Sequence, residues 1–179
     1  MKKFLLYPLA LIISIGSMAL SCDDTSDLFD ITTDLDFTQT ININTQGEEF
    51  VEIAEFETID PSDISSYNSI KERIKEIEIT RITYKLVNAG EDNSADATLS
   101  VLLGYRATGA ANYNFFEEEI SAELDVEKEL NASAADLEAM RTFFLDGTSF
   151  DVGAAGTIDN GPLNIDVVFT IYTAITAAP

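Results

Sequence analysis

FDVGAAGTIDNGPLNIDVVFTIYTAIT, residues 150–176, is the most strongly patterned stretch of the chain. Apolar residues recur at every second position on both sides of the Asn160-Gly161 step, a spacing typical of strands that bury one face. An Asn-Gly pair readily adopts the positive φ angles that a tight hairpin needs. The stretch therefore predicts two antiparallel strands joined as a hairpin, with buried positions at Phe150, Val152, Ala154, Ile165, Val167, Phe169, Ile171 and Ile175.

The same alternation recurs upstream and predicts further strands at 35–44, 48–59, 77–86 and 97–105. In the predicted strand 77–86, the apolar residues stand at odd-numbered positions at Ile77 and Ile79 and at even-numbered positions from Ile82 onward. One extra residue at Thr80-Arg81, a β-bulge, restores a single buried face. The segment 113–126 fits a helix or a strand, and we favour a strand.

Two short helices complete the pattern. The first is predicted within 62–74, after the turn signature at Asp60-Pro61. The second begins at Ser133, where Ser133 and Asp136 have the spacing of a capping box, and ends at Asp146-Gly147. About seven strands with two short helices predict a mainly β fold, an antiparallel β-sandwich, with a small closed β-barrel as the alternative.

In strand pattern alone, the domain resembles the immunoglobulin-like sandwiches of many exported proteins. That resemblance implies a fold and carries no information about activity. The length of 179 residues fits one domain, which we place at 35–179 after a signal at 1–21 and a tether at 22–34.

Charge excludes one class of partner. The chain has 10 basic and 32 acidic residues, and removal of Lys2 and Lys3 with the signal leaves eight and 32, a net charge of −24. Nucleic-acid binding requires clustered basic residues, so we expect no nucleic-acid partner. The same charge opposes adhesion to anionic lipid, and attachment to a membrane then requires a covalent lipid.

The residue types that are missing exclude several kinds of chemistry. The chain has no His, which removes Ser-His-Asp and Cys-His nucleophile systems and His-ligated metal sites. A single Cys excludes an internal disulfide and CxxC redox chemistry. We therefore predict a protein that is not an enzyme and has no cofactor.

The N-terminus has the layout of an export signal, with Lys2 and Lys3 followed by an apolar run over 4–20. The segment Met18-Ala19-Leu20-Ser21-Cys22 resembles the lipobox of bacterial lipoproteins, although Ala19 takes the place where that family usually has Leu. The resemblance implies that Cys22 carries fatty acyl groups such as palmitate and becomes the N-terminus of the mature protein. Two or more acyl chains give stable anchoring.

Acidic residues follow the Cys directly, in Asp23-Asp24-Thr25-Ser26-Asp27. This run resembles the export tags behind the Cys of surface lipoproteins in Bacteroidetes. The resemblance implies a lipid-anchored protein of the outer membrane, displayed on the cell surface or facing the periplasm. Physically, the acidic run is a solvated tether.

Two groups of polar residues are candidates for a catalytic site and a metal site. The acidic cluster at 117–129 offers no particular pair of facing carboxylates, and a solvated face explains it. For a metal, the sequence favours calcium at Asp92, Asn93 and Asp96, whose oxygen ligands suit that ion, although the loop departs from the EF-hand order. The aromatic pairs Phe115-Phe116 and Phe143-Phe144 suggest one core and one outward ring each.

The functional expectation is a lipid-anchored, non-catalytic module of the cell envelope with a structural, adhesive or ligand-binding role. The alternatives are a small carboxylate-dependent hydrolase or hydrolase accessory, and a carrier of a small apolar ligand. Two facing acids in a cleft, one with a raised pKa, would indicate the hydrolase. An interior cavity of several hundred cubic ångströms would indicate the carrier.

Overall fold

The computed structural model describes residues 30–46, 50–90 and 93–179. Their secondary structure is mainly β, with two short α-helices. The elements in chain order are β1 (Ile31–Asn44), β2 (Phe50–Ile59), α1 (Ser65–Ile70), β3 (Ile74–Asn88), β4 (Thr98–Ala107), β5 (Asn114–Glu119), β6 (Glu127–Glu129), α2 (Ala134–Asp146), β7 (Phe150–Asp159) and β8 (Asn164–Ala177).

The strands form two antiparallel four-stranded sheets that pack face to face. One sheet has the order β1-β8-β3-β6 and the other β2-β7-β4-β5. Successive strands lie in opposite sheets except β4 and β5, an arrangement of two Greek keys that defines a jelly roll. The predicted β-sandwich is confirmed, the two sheets do not close into a barrel, and the immunoglobulin-like pattern does not extend to the strand order, since that fold pairs its first two strands.

The predicted hairpin in residues 150–176 is wrong. β7 pairs with β2 and β4, whereas β8 pairs with β1 and β3. The two strands are therefore inner strands of different sheets. The connection through Asn160 and Leu163 crosses between the sheets, and the Gly161-Pro162 peptide bond in it is cis. Leu163 is held by Thr45 after β1, whose N–H donates to the carbonyl oxygen of Leu163 at 3.0 Å.

The predicted β-bulge in β3 is confirmed. Ile79 lies opposite Thr173 and Arg81 opposite Tyr172, so Thr80 is the extra residue. Because of it, the inward face passes from Ile77 and Ile79 to Ile82 without a break, and all three side chains are buried. The bulge therefore keeps 15 residues of one strand on one core.

The core lies between the sheets and extends under α2. Phe37, Phe144 and Phe150 form an aromatic cluster there, with ring centroids 4.4 Å apart for Phe37 and Phe144 and 5.3 Å apart for Phe144 and Phe150. Each of these rings is fully buried. The cluster fixes α2 against the end of the sandwich at which β7 begins.

Both predicted helices are present, the first shorter than expected. α1 covers Ser65–Ile70 and is flanked by single 3₁₀ turns at Pro61–Asp63 and Lys71–Arg73. The predicted capping box of α2 is confirmed, because the Ser133 hydroxyl accepts the N–H of Asp136 and the Asp136 carboxylate accepts the N–H of Ser133. Gly147, with φ 61°, ends the helix as expected.

Two boundaries differ from the sequence prediction. β1 begins at Ile31, four residues before the predicted domain. Its first residues pair with the last residues of β8, starting with Ile31 opposite Ala177. Of the segment 113–126, only Asn114–Glu119 forms a strand. The remainder passes from one sheet to the other. In the part of the chain that the structure describes, no helix is both long and apolar enough to span a bilayer.

Candidate functional site: a cavity at one end of the sandwich

The register of the strands gives the sandwich two distinct ends. β1 begins where Ile31 lies opposite Ala177, and we call this the tether end because the predicted tether precedes it. At the other end Asn44 lies opposite Asn164, and Asn88 ends β3 beside Ile165. We call this the loop end. With 14 residues in β1, the two ends are about 45 Å apart.

A cavity of about 300 Å³ opens between the sheets at the loop end. Its walls come from both sheets and from three connections, and none of the described residues that line it is charged. They are Leu86 of β3, Leu99 of β4, Ile165 of β8, the loop residues Asn93, Ser94, Ala95 and Ala97, the crossing residue Leu163, and Ala122 and Leu124. A largely apolar pocket with a few polar groups is the usual form of a small-molecule site.

Asn93 holds one wall of this cavity in place. Its side-chain oxygen accepts the N–H of Asn164 at 2.6 Å, and its side-chain nitrogen donates to Asn88 Oδ1 at 2.6 Å and to the Asn164 carbonyl oxygen at 3.0 Å. The neighbouring Ser94 N–H donates to the carbonyl oxygen of Pro162 at 2.8 Å. These bonds tie the β3–β4 loop to the start of β8.

Residues 121–126, which we call the strap, form the wall that crosses from one sheet to the other. The Ser121 N–H donates to the Tyr84 hydroxyl at 2.8 Å, and the Asp125 N–H donates to the Leu86 carbonyl oxygen at 2.8 Å. Leu124 between them is 42% exposed at the mouth of the cavity. The strap is thus fixed near both ends and presents an apolar side chain at the opening.

The strap also carries two ion pairs. Glu123 contacts Lys128 at 2.7 Å and Asp125 contacts Lys85 at 3.5 Å. The hydrogen bond from Glu123 raises the pKa of Lys128 above its ordinary value. Each of the two acids that flank Leu124 is therefore paired with a lysine beside the mouth.

The structure describes two of the three residues predicted to bind calcium, Asn93 and Asp96. Asp92 lies outside the described residues, Asp96 is exposed, and the amide of Asn93 is engaged by Asn88 and Asn164 as described. Among the residues that the structure describes, no three His, Cys, Asp or Glu side chains converge on a point that could hold a metal ion. Asn93 is thus a structural clasp, and the calcium site stays a prediction.

The acidic cluster is dispersed over the surface. Its carboxylates in 117–129 are all exposed. An open groove between α2 and β3 has a volume of about 590 Å³ and is lined in part by Glu76, Glu78 and Glu138. Arg141, 2.7 Å from Glu138, holds the pKa of that carboxyl below its ordinary value, which is opposite to the shift that a general acid requires.

The best-defined charged pair lies on the outer face of the β2-β7-β4-β5 sheet. Arg106 Nε donates to Asp151 Oδ2 at 2.8 Å, and the hydroxyls of Thr58 and Thr108 donate to Oδ1 at 2.9 and 3.3 Å. Burial alone would raise the pKa of Asp151, yet these hydrogen bonds and the guanidinium charge hold it below its ordinary value. The pair joins three strands and has the geometry of a structural tie.

Aromatic rings cover the same face beside this pair. Phe56 stacks on Tyr113 with ring centroids 3.9 Å apart, and Phe115 lies 5.9 Å from Tyr113. Phe115 is 39% exposed while Phe116 is buried, and Phe143 is half-buried while Phe144 is buried. The prediction of one core ring in each aromatic pair is confirmed.

Comparison with known proteins adds the following. No family model matches the chain, and no curated protein sequence matches it. Among solved structures, a chain of Desmodium yellow mottle tymovirus is similar with a TM-score of 0.39 and 8% identity, over 100% of this chain and 96% of that chain.

The sequence did not predict this cavity, although it singled out one residue of the lining, Asn93, as a calcium ligand. Of the predicted site residues, Asn93 lines the cavity, Asp96 does not, and Cys22 and Asp92 lie outside the described residues. Most of the other lining residues are ordinary apolar side chains from three strands and three connections, and no local pattern joins them. Fold and site together define a jelly-roll domain with an uncharged cavity at one end.

Proposed function

We propose that the chain is a lipid-anchored, non-catalytic ligand-binding module of the outer membrane, attached through acyl groups on Cys22. The observation that carries the binding role is the uncharged cavity at the loop end, opposite the end at which β1 follows the tether. An anchor at one end and a pocket at the other place the pocket about 45 Å from the tether end. The module presents its ligand site away from the bilayer.

A binding role is favoured over hydrolysis by the placement of the carboxylates. Hydrolysis of a glycoside needs two carboxyl groups facing each other across a cleft, one of them with a raised pKa. Asp60, Glu138 and Asp151 all have a lowered pKa, caused in turn by bonds from Ser62, by Arg141, and by Arg106 with two threonines. The lining of the cavity contains no carboxylate among its described residues.

The anchor is tested by mass spectrometry and fractionation of cells that produce the wild type, Cys22→Ser and, as a matched control, Ser66→Ala on the exposed surface of α1. The wild type and Ser66→Ala are expected in the outer membrane with the added mass of acyl groups. Cys22→Ser is expected without that mass and outside the outer-membrane fraction. Protease added to intact cells distinguishes surface display from a periplasmic orientation. An unmodified thiol on wild-type protein released into the medium would contradict the proposal.

A further inference from the structure

We propose that the loop-end cavity selects small, neutral, largely apolar molecules and rejects anionic ones. The inference rests on the proposed ligand-binding function and deepens it by naming the ligand class. Four properties of the cavity support it: its size, the absence of charge in its described lining, the internal hydrogen bonds of its polar groups, and the chemistry of its mouth.

Size sets the scale of the ligand. A buried apolar cavity of about 150 Å³ holds one benzene molecule. The loop-end cavity, at about 300 Å³, has room for a two-ring aromatic compound or a short alkyl chain. It is too small for a folded peptide segment or an oligosaccharide.

The absence of charge in the lining sets the class. The side chains of Leu86, Leu99 and Ile165 form the floor and side walls, and a charged ligand group placed among them would lose its hydration without a partner. The whole chain has a net charge of −22, which adds a repulsive field for anions. A fatty acid or another carboxylate is therefore disfavoured relative to a neutral analogue of the same size.

The polar groups of the lining have partners within the protein. Asn93 is bonded to Asn88 and Asn164, and the Ser94 hydroxyl accepts the N–H of Asp96 at 3.3 Å. Apolar contact therefore supplies most of the binding free energy. Both hydrogens of the Asn93 amide are engaged, so a ligand acceptor at Asn93 would require an internal bond to break.

The mouth is apolar in spite of the acidic surface around it. Three of the lining residues are exposed, Ala95, Ala122 and Leu124, and all three are apolar. The neighbours of Leu124, Glu123 and Asp125, are paired with Lys128 and Lys85. An entering neutral molecule therefore meets apolar side chains first. The strap thus continues the apolar lining outward.

Two matched fluorescent probes test the ligand class on the full Cys22→Ser chain, in the absence of detergent. 2-Naphthalenemethanol is neutral, and 2-naphthoate has the same two-ring system and similar size with a negative charge. Saturable binding of the neutral probe is expected, at least tenfold tighter than that of the carboxylate. No saturable binding of the neutral probe, or equal affinity for both, would overturn the proposal.

Variants locate the binding to the cavity. Ala122→Trp places a large ring at the mouth, and Ala97→Phe fills the wall that the β3–β4 loop provides; each is expected to weaken binding of the neutral probe at least tenfold. Ala111→Trp, on an exposed loop, is the control and is expected to leave binding unchanged. The chain has no other Trp, so emission from the new Trp shows whether it is buried. Unchanged binding in both filled variants, with cooperative urea unfolding retained, would place the probe elsewhere and refute the assignment.

The two proposals fail in different experiments. The probe assay uses a chain that lacks the lipid, so a negative result removes the ligand class and leaves the acylation of Cys22 to its own test. Conversely, an unmodified Cys22 in cells removes the anchor and leaves the affinity of the cavity for neutral molecules unaffected.

Discussion

The ring of Phe56 in β2 lies against the backbone of Gly153 in β7, directly across the strand pair. A Cβ at Gly153 would overlap the Phe56 ring and the carbonyl oxygen of Glu55. In the same row of the sheet, Gly104 of β4 lies opposite Phe115 of β5, and its Cβ would be 2.7 Å from that ring. Two glycines at the centre of the sheet thus accept two aromatic rings from its edge strands.

Gly153→Ala is expected to destabilise the domain by about 1–3 kcal/mol, because the added methyl forces the ring and the neighbouring strand to shift. Urea unfolding measures the change. In a Phe56→Ala background the same substitution is expected to cost less, since the ring is gone while the Glu55 carbonyl remains. An unchanged unfolding midpoint for Gly153→Ala would show that the ring does not occupy this position.

Asn93→Ala is expected to lower the free energy of unfolding by about 1–3 kcal/mol, because the N–H of Asn164 and the side chain of Asn88 lose their partner. As a clasp, Asn93 has this effect with or without calcium. Melting temperatures of the wild type, Asn93→Ala and Asn93→Asp, each measured in calcium and in a chelator, distinguish a structural clasp from a calcium ligand. A calcium ligand would instead give a melting temperature that rises with calcium, more so in Asn93→Asp.

Asp151→Asn is expected to cost about 1.5–3 kcal/mol at neutral pH through loss of the charged partner of Arg106. The folded state lowers the pKa of this carboxyl, so its contribution is present above its ordinary value near pH 4 and is lost as the pH falls through the folded-state pKa. Urea midpoints between pH 7 and pH 2 should therefore fall further for wild type than for Asp151→Asn. The exposed Asp96→Asn should behave as wild type, and parallel acid profiles for wild type and Asp151→Asn would contradict the role of the pair.

Deletion of Thr80 is expected to abolish cooperative unfolding, because the register of β3 beyond the bulge would turn either Ile79 or Ile82 out of the core. Thr80→Ala keeps the residue count and loses only the hydroxyl bond to the Tyr172 carbonyl oxygen, so it should stay within about 1 kcal/mol of wild type. Circular dichroism during urea unfolding measures both. A cooperative, wild-type-like transition after the deletion would refute the function of the bulge.

Local sequence signals predicted local structure well. The parity change after Ile79 located the bulge, and the spacing of Ser133 and Asp136 located the start of α2, because each depends on neighbouring residues. The hairpin prediction failed for the opposite reason. Alternation at Val152 and Val167 indicates that each strand buries one face, and it is the same whether the strands pair side by side or face each other across the core.

In the candidate site too, contacts between distant segments could not be predicted from local sequence signals. Asn93 was singled out for its oxygen ligands, and the structure gives that amide backbone partners more than 70 residues away, at Asn164. Leu86, Ala122 and Leu163 come together only through the crossing of the chain between sheets. A cavity bounded by side chains from distant segments leaves no periodicity in any one of them.

β8 is one of the two inner strands of its sheet and the last of the described strands, bonded to β1 on one side and β3 on the other. β1 therefore has no strand to pair with until β2 to β7 have been synthesised, and until then β3 has only the short strand β6. Contacts of such high sequence separation form slowly. We therefore expect the closure of this sheet, which joins the first and the last described strands, to be a late and slow step in folding.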